Sequence, residues 1–511
     1  MFSNVLSAAI CGMESCPIYV EADVSDGLPE FTMVGYLTSQ VKEAQERVRT
    51  ALRNSGVRME PKRITVNLSP GDLRKDGTGF DLPIAVAVLA AYGQIPEDRL
   101  HRIMVMGELS LNGEVKGIRG ILPMVHRARE QGCLACILPR ENEQEGRAVG
   151  GIRVIGISSL RELIDCLNGN RDFPEESRRV SLEELYQRQE EQREDFRELS
   201  GQEGARRAAE IAAAGMHNLL LIGPPGSGKS MIARRMAGIL PELTREESLE
   251  ISGIYSVAGL LDEETPLFVH RPFRAPHHTI SPQALAGGGR IPKPGEISLA
   301  HKGVLFLDEL PEYSRGAIEI LRQPLEERQV RISRTHGTYS FPADFMLIAA
   351  MNPCKCGYYP DLDRCTCTQS EIHQYLGKIS RPLLDRIDIC TEVPQIRYED
   401  LKGFGKNEST AQMKERVIRA QSLQKKRYQG TGFRFNSQLN VQGIRRFCPM
   451  GSQEETFLEA VFQKLKLSVR AYHRMIKVAR TIADLDASEK IRSEHLAEAV
   501  CYRCVDQKFW G

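Results

Sequence analysis

The sequence predicts a multidomain α/β protein, and three observations carry that reading. At 511 residues the chain is longer than one hydrophobic core usually organises. From Arg206 to about Pro394 short apolar runs alternate with helix-like segments, as in a parallel sheet covered on both faces. Ahead of that stretch strand and helix signals are mixed, and after Pro394 the strand signals stop.

Residues 1–170 read as an α+β domain. Arg63 to Leu68 has the alternation of a strand, and Gly79 to Tyr92 is apolar at helical spacing. Ile103 to Leu111 and Val115 flank Asn112-Gly113, a dipeptide suited to a type I′ hairpin turn. A helix over Gly120 to Gln131 stops at Gly132, and Leu134 to Leu138 and Arg153 to Ile157 follow as strands. Residues 171–195 read as a charged linker: between Arg171 and Ser200 ten acidic and six basic residues leave only scattered apolar ones. Residues 196–400 form the parallel-sheet core. Residues 401–511 read as a helical lid, with helices over Glu455 to Ala483 and Ser493 to Tyr502 and Ser493 as an N-cap.

Composition excludes several classes. Apolar residues at 41% and charged residues at 26% sit near globular averages, which argues against a fibrous repeat or long disorder. A formal charge of +1 leaves no whole-chain attraction for nucleic acid or membrane, so any such footprint is a local patch. No run approaches the roughly 18 apolar residues of a membrane span, and MFSNVLSAAICGMESC lacks the basic start of an export signal. A cytoplasmic protein without a membrane partner is expected, and its 13 cysteines read as reduced thiols or metal ligands.

The chemistry concentrates in the core. Gly223-Pro224-Pro225-Gly226-Ser227-Gly228-Lys229-Ser230 is a phosphate-loop pattern between a strand, Asn218 to Ile222, and a helix, Lys229 to Leu240. Glycines let backbone N–H groups curl around phosphate oxygens, Lys229 neutralises the terminal phosphates, and the Ser230 hydroxyl suits magnesium. ATP and magnesium are the cofactors expected. Val304 to Leu307 is a buried strand ending in Asp308 and Glu309; Asp308 would hold magnesium through water, and Glu309 would act as general base. Asn352 follows a further apolar strand, Phe345 to Ala350, from which it would reach the γ-phosphate or the water. Arg381 and Arg386 are candidates for an arginine supplied to a neighbour's site, with ion pairing to Asp385 or Asp388 as the alternative. Arg470 and Arg474, one helical turn apart, are candidate lid arginines between which the sequence does not choose.

Cys354-Lys355-Cys356 and Cys365-Thr366-Cys367 make two C-x-C pairs within fourteen positions, enough thiolates to close a tetrahedral structural zinc site. Leu401 to Asn440 carries nine Lys or Arg against two acids, a stretch that tracks nucleic-acid phosphates or is simply a solvated lid face.

With these motifs the chain resembles the magnesium-chelatase-like AAA+ ATPases of the YifB/ComM type. The likeness runs over nearly the whole length, through Gly27-Leu28-Pro29, Gly201-Gln202, Arg274-Ala275-Pro276-His277-His278-Thr279, Gly287-Gly288-Gly289 and Pro294-Gly295-Glu296-Ile297-Ser298-Leu299-Ala300-His301. The resemblance implies an AAA+ core with a C-terminal lid like that of magnesium chelatase. It also implies a homo-oligomeric ring, a hexamer, and ATP-driven branch migration or unwinding of branched or single-stranded DNA in recombination or natural transformation. A chelatase-type or protein-remodelling ATPase without DNA activity is the competing reading. The first domain looks like the Lon protease domain, an S5-type fold, but the serine position falls at Phe80-Asp81 and the lysine position near Leu122. The peptidase Ser-Lys dyad is therefore absent, and Thr78 with Lys116 is only a forced substitute. Gln329 to Phe345 reads as a hairpin, with strands Val330 to Arg334 and Thr338 to Phe341. Its place resembles the hairpin that enters the channel of MCM-like motors, which would set Arg331, Arg334 and His336 against DNA.

Overall fold

The computed structural model describes residues 1–175, 181–190, 194–262, 264–289, 292–334, 337–396 and 407–510. Thr335 and His336 of the hairpin turn lie outside the described residues, as do parts of the 171–195 segment and the 400/401 boundary with Lys402 and Lys406. The chain divides into two compact units: Met1–Arg188 with Thr244–Val269 and Ser333–Ser340, and Gln189–Leu243 with His270–Ile332 and Phe341–Gly511.

The first unit is organised by a seven-stranded mixed sheet. Its strands are Phe2–Cys11 (β1), Glu14–Ser25 (β2), Glu30–Val34 (β3), Arg63–Ser69 (β4), Ile103–Val105 (β5), Ala135–Pro139 (β8) and Arg153–Ile157 (β9), in the order β3-β4-β2-β1-β5-β8-β9. Two-residue strands Glu108–Leu109 (β6) and Val115–Lys116 (β7) form a separate ribbon. The expected long strand from Ile103 is thus split, and the turn is not type I′. Gly113 N donates to Ser110 O at 3.0 Å and only Gly113 takes a positive φ, +86°, so the loop is a type I turn followed by a left-handed glycine. Helix Asp81–Ala91 is buried at every position, as the uninterrupted apolar run after Asp81 requires. Helix Arg245–Ala258, opened by a capping box on Thr244 and Glu247, belongs to this unit by its contacts. Gly120 N donates to Ser256 O at 3.1 Å, and the Ser256 hydroxyl donates to the buried Glu145.

The second unit holds a five-stranded sheet of Leu219–Ile222 (β10), Phe273–Arg274 (β11), Val304–Leu307 (β14), Met346–Met351 (β17) and Ile389–Glu392 (β18). The order is β11-β14-β17-β10-β18, with every pairing parallel. Gly287–Gly288 (β12) pairs with Lys293–Pro294 (β13) in a small ribbon, and Gln329–Arg334 (β15) with Gly337–Pro342 (β16) in the expected hairpin. Helices Glu203–Gly215 and Lys229–Ile239 bury apolar stripes against this sheet's core.

After β18 the described chain is helical: Thr410–Arg427, Val441–Phe447, Ser452–Lys464, Val469–Leu485 and Ser493–Trp510. The single helix read over Glu455 to Ala483 is two, because Lys466 turns left-handed at φ +45° and Ser468 caps the second through Ala471 N. Ser493 is not the N-cap of the last helix. His495 N and Leu496 N both return to Arg492 O, and the Ser493 hydroxyl donates to Glu454 at 2.8 Å. A buried polar network fixes these helices: Asp484 accepts from Arg427 (2.9 Å), Arg480 (3.0 Å) and Asn436 (2.9 Å). Among the described residues no helix is long and apolar enough to cross a membrane.

Candidate nucleotide site

Strand β10 is fully buried between β17 and β18, so its end is fixed by ladders on both sides. The chain leaves it through Gly223, whose N–H donates to Met351 O at 3.2 Å and where a Cβ would fall 2.2 Å from Val393 O. Only glycine fits there. Gly226 and Gly228 turn at φ +72° and +91° with nothing within 4 Å of an added Cβ, so the loop presents bare backbone on an open concave side.

Lys229 begins the following helix and folds back into this loop. Its ammonium donates to Gly223 O (2.7 Å), Pro224 O (2.8 Å) and Asn352 Oδ1 (3.2 Å). These acceptors are neutral, so an anionic oxygen at the same place would be preferred. Burial pulls Lys229 down to about 8, against the opposing pull of Asp308 and Glu309. The parallel order β14-β17-β10 brings Asp308 and Asn352 to the same edge as the loop. The Ser230 hydroxyl donates to Asp308 Oδ2 at 2.6 Å, an oxygen pair of the kind that a hard divalent cation takes. The glycine cradle, this pair and the inward ammonium fit a magnesium-bound nucleoside triphosphate.

Glu309 stands in left-handed backbone, φ +50° and ψ +46°, an uncommon conformation for a non-glycine residue. Its N–H donates to Asp308 Oδ1 at 2.9 Å while its carboxylate is half exposed. His278 Nδ1 lies 3.2 Å from Glu309 Oε2, and the His277 and His278 rings lie tilted against each other at 33° with centroids 4.1 Å apart. Below them the Tyr313 hydroxyl donates to Pro276 O at 2.6 Å, and burial beside Asp308 and Glu309 pushes its phenol up. Gln202, also left-handed, donates to Ser227 O (3.2 Å) and Pro394 O (2.5 Å), tying the phosphate loop to the chain after β18. Neither His278 nor Gln202 has a role legible in the sequence; both stand in stretches that carry the family resemblance, where a polar residue outside any motif is the available signal.

The arginines are engaged elsewhere. Arg386 meets Glu326 at 2.5 Å and Pro382 O at 2.5 Å, and Arg381 donates to Trp510 O. Arg470 is exposed at the start of its helix, whereas Arg474 lies 3.5 Å from Asp388. Asp388, which burial alone would raise, is held well below the carboxylate range by His217 and Arg474. Arg331 and Arg334 are exposed on the hairpin; Arg331 lies 3.8 Å from Glu327, and Arg334 donates to Ser333 O at 3.1 Å.

Cys354, Cys356, Cys365 and Cys367 come together, their sulfurs all within 4.8 Å of one another. Sγ separations of 3.3 Å (354–356), 3.7 Å (354–365) and 3.5 Å (356–365) are too long for disulfides and close to the edge of a thiolate tetrahedron. That edge is about 3.8 Å for zinc–sulfur bonds of about 2.3 Å, so the set fits zinc. In the first unit, Thr78 donates to Glu108 and Lys116 lies 2.8 Å from Glu114, so each half of the forced peptidase pair has its own carboxylate.

Residues 195–401 match the family described as magnesium chelatase, subunit ChlI; residues 20–142 match subunit ChlI of Mg-chelatase; residues 407–503 match its C-terminal family. The chain is 42% identical over 504 residues to competence protein ComM of Haemophilus influenzae, covering 98% of this chain and 97% of that one. It is 42% identical over 506 residues to YifB of Escherichia coli, covering 99% and 97%. A shorter match, 33% over 128 residues, links 25% of the chain to 23% of Lon protease 2 of Bacillus subtilis.

Proposed function

Because the chain belongs to the YifB/ComM family of magnesium-chelatase-like AAA+ ATPases, we propose that it is a ring-forming, magnesium-dependent ATP hydrolase that drives branch migration or unwinding of DNA. The observation that carries the hydrolase reading is the cluster at one sheet edge: Lys229 in the phosphate loop, Ser230 against Asp308, and Glu309 one residue beyond. Residues 223 to 230 would bind the phosphates, with Ser230 and Asp308 holding magnesium. Bound magnesium would supply Lewis-acid neutralisation of phosphate charge. Glu309 would accept a proton from the attacking water, oriented by His278, and Asn352 would position the terminal phosphate beside Lys229. Arg386 or Arg381 would act on a neighbouring subunit's site, with Arg386 leaving Glu326 on assembly. Arg470 or Arg474 would serve from the lid; the contact of Arg474 with Asp388 lies at the start of β18, at the sheet end away from the phosphate loop, and gives that arginine no preference.

The same reading covers the domains: a Lon-like domain over 1–170, a linker over 171–195, the AAA+ core over 196–400 and the lid over 401–511, in a cytoplasmic protein of recombination or natural transformation. Likeness to Lon protease 2 supports the first assignment. One zinc per chain would sit in Cys354, Cys356, Cys365 and Cys367. Arg331, Arg334 and His336 would grip DNA phosphates from the hairpin.

The test is ATP- and magnesium-dependent branch migration on four-way and forked DNA, together with DNA stimulation of hydrolysis. Replacing Arg331 and Arg334 by Ala should spare basal hydrolysis and remove both the stimulation and the salt dependence of binding. Hydrolysis with no DNA binding at all would transfer the assignment to a chelatase-type or protein-remodelling ATPase.

A further inference from the structure

Strand β17 ends in Met351, and the next three residues are Asn352, Pro353 and Cys354. The residue that accepts from Lys229 is therefore two positions from a thiol of the four-cysteine cluster. A second connection comes from inside the cluster. Gly357 N donates to Cys354 O at 3.1 Å, Tyr359 N approaches Cys354 Sγ at 3.4 Å, and between them Gly357 takes φ +87°. That turn rests directly on the phosphate loop. A Cβ added to Gly357 would lie 2.4 Å from Pro225 Cδ and 2.9 Å from Pro225 Cγ, atoms of a ring that cannot rotate away. The two loops also share the walls of a cleft of about 450 Å³, lined by Gly223, Pro224, Pro353, Gly357 and Tyr359.

We propose that the four-cysteine cluster is a metal-dependent clamp on the phosphate loop, so that occupancy by zinc sets the affinity for nucleotide. The inference rests on the zinc assignment above. The segment from Cys354 to Cys367 has no sheet pairing of its own, and in it Cys354 is buried while Cys365 and Cys367 are more open. Four metal–sulfur bonds supply the cross-link that a short loop lacks, in the way that structural zinc supplies folding energy elsewhere. With the cross-link in place, Gly357 is pressed on Pro225 and Asn352 is held toward Lys229. Without it, both restraints on the phosphate loop are free to relax, and part of the binding energy goes into re-forming them.

The experiment uses full-length protein. Zinc content is measured by elemental analysis, the metal is removed with a thiol-directed mercurial and a chelator, and the affinity for a fluorescent ATP analogue is titrated before removal, after it, and after thiol regeneration with added zinc. The expected result is about one zinc per chain, an affinity at least about tenfold weaker without it, and recovery on refilling. Two variants separate the clamp from general unfolding. Cys365→Ser should lose zinc and affinity together, while Gly357→Ala should keep zinc and still lose affinity. Zinc present but removable with no change in affinity overturns the clamp and leaves the zinc site standing. Protein that binds nucleotide normally yet neither contains zinc nor takes it up overturns both.

Discussion

Asp81 in the first unit and Asp308 in the second are both carboxylates set against a packed core, and they are finished in opposite ways. Asp81 is fully buried and closed: Arg47 bonds it with two nitrogens, at 2.7 and 2.9 Å, and Leu109 N approaches at 3.4 Å. Charge and lone pairs are settled inside the domain. Among the described residues Asp308 receives neutral donors, the Ser230 hydroxyl and the Glu309 amide, and a second carboxylate follows it directly. The nearby ammonium, Lys229, is bonded to carbonyls and an amide oxygen and is pulled down by burial. An ion pair closed on itself holds a fold together, whereas a carboxylate met by neutral donors, near an ammonium that is itself bonded to neutral oxygens, marks a place where a ligand brings charge.

The sharpest break of that contrast is at the open centre. Lys229→Ala should abolish nucleotide binding, whereas Glu309→Gln should keep binding and lower the hydrolysis rate by about 100-fold or more, because only the proton acceptor is lost. Turnover at the parent rate in the Glu309 variant would remove it as the base. At the closed centre, Arg47→Ala strands a buried carboxylate and should cost the first unit about 3–5 kcal/mol, read as an earlier unfolding transition of the full chain, with nucleotide affinity unchanged. A variant as stable as the parent would show that Asp81 is not held by that pair.

A smaller effect follows from the Lys229 shift. Binding phosphate raises its pKa above the free value of about 8, so the charged form is favoured in the complex. Affinity should therefore be flat below about pH 7 and weaken by up to about tenfold per pH unit above 8, until the bound-state value is reached. Titration of a fluorescent nucleotide from pH 6.5 to 9.5 checks the slope, and a flat profile would mean that the lysine stays charged throughout. Smallest is His278→Ala, which should reduce kcat by about tenfold while leaving KM within about twofold if the imidazole acts by orienting Glu309, 3.2 Å away. A rise in KM of the same size as the fall in kcat would instead make His278 part of nucleotide binding.

What the sequence determined by itself is what depends on neighbours in the chain. The phosphate loop was legible because its glycines, lysine and serine act through eight successive residues between a strand and a helix, and strand β14 because its apolar run stops at two acids. The cysteine cluster was legible for the same reason, with all four thiols inside fourteen positions. Local pattern failed where one residue's backbone choice decided the outcome: Gly113 alone, and not Asn112, turns left-handed, and Lys466 breaks a helix that periodicity runs through. Tertiary structure alone decided which distant groups meet. The placing of β17 between β14 and β10 sets Asn352 on Lys229, 123 residues away, and the end of β11 delivers His278 to Glu309. Arg386 pairs with Glu326 instead of the acids beside it, and Gly357 rests on Pro225, because strand order and loop packing fix these distances and no spacing along the chain encodes them.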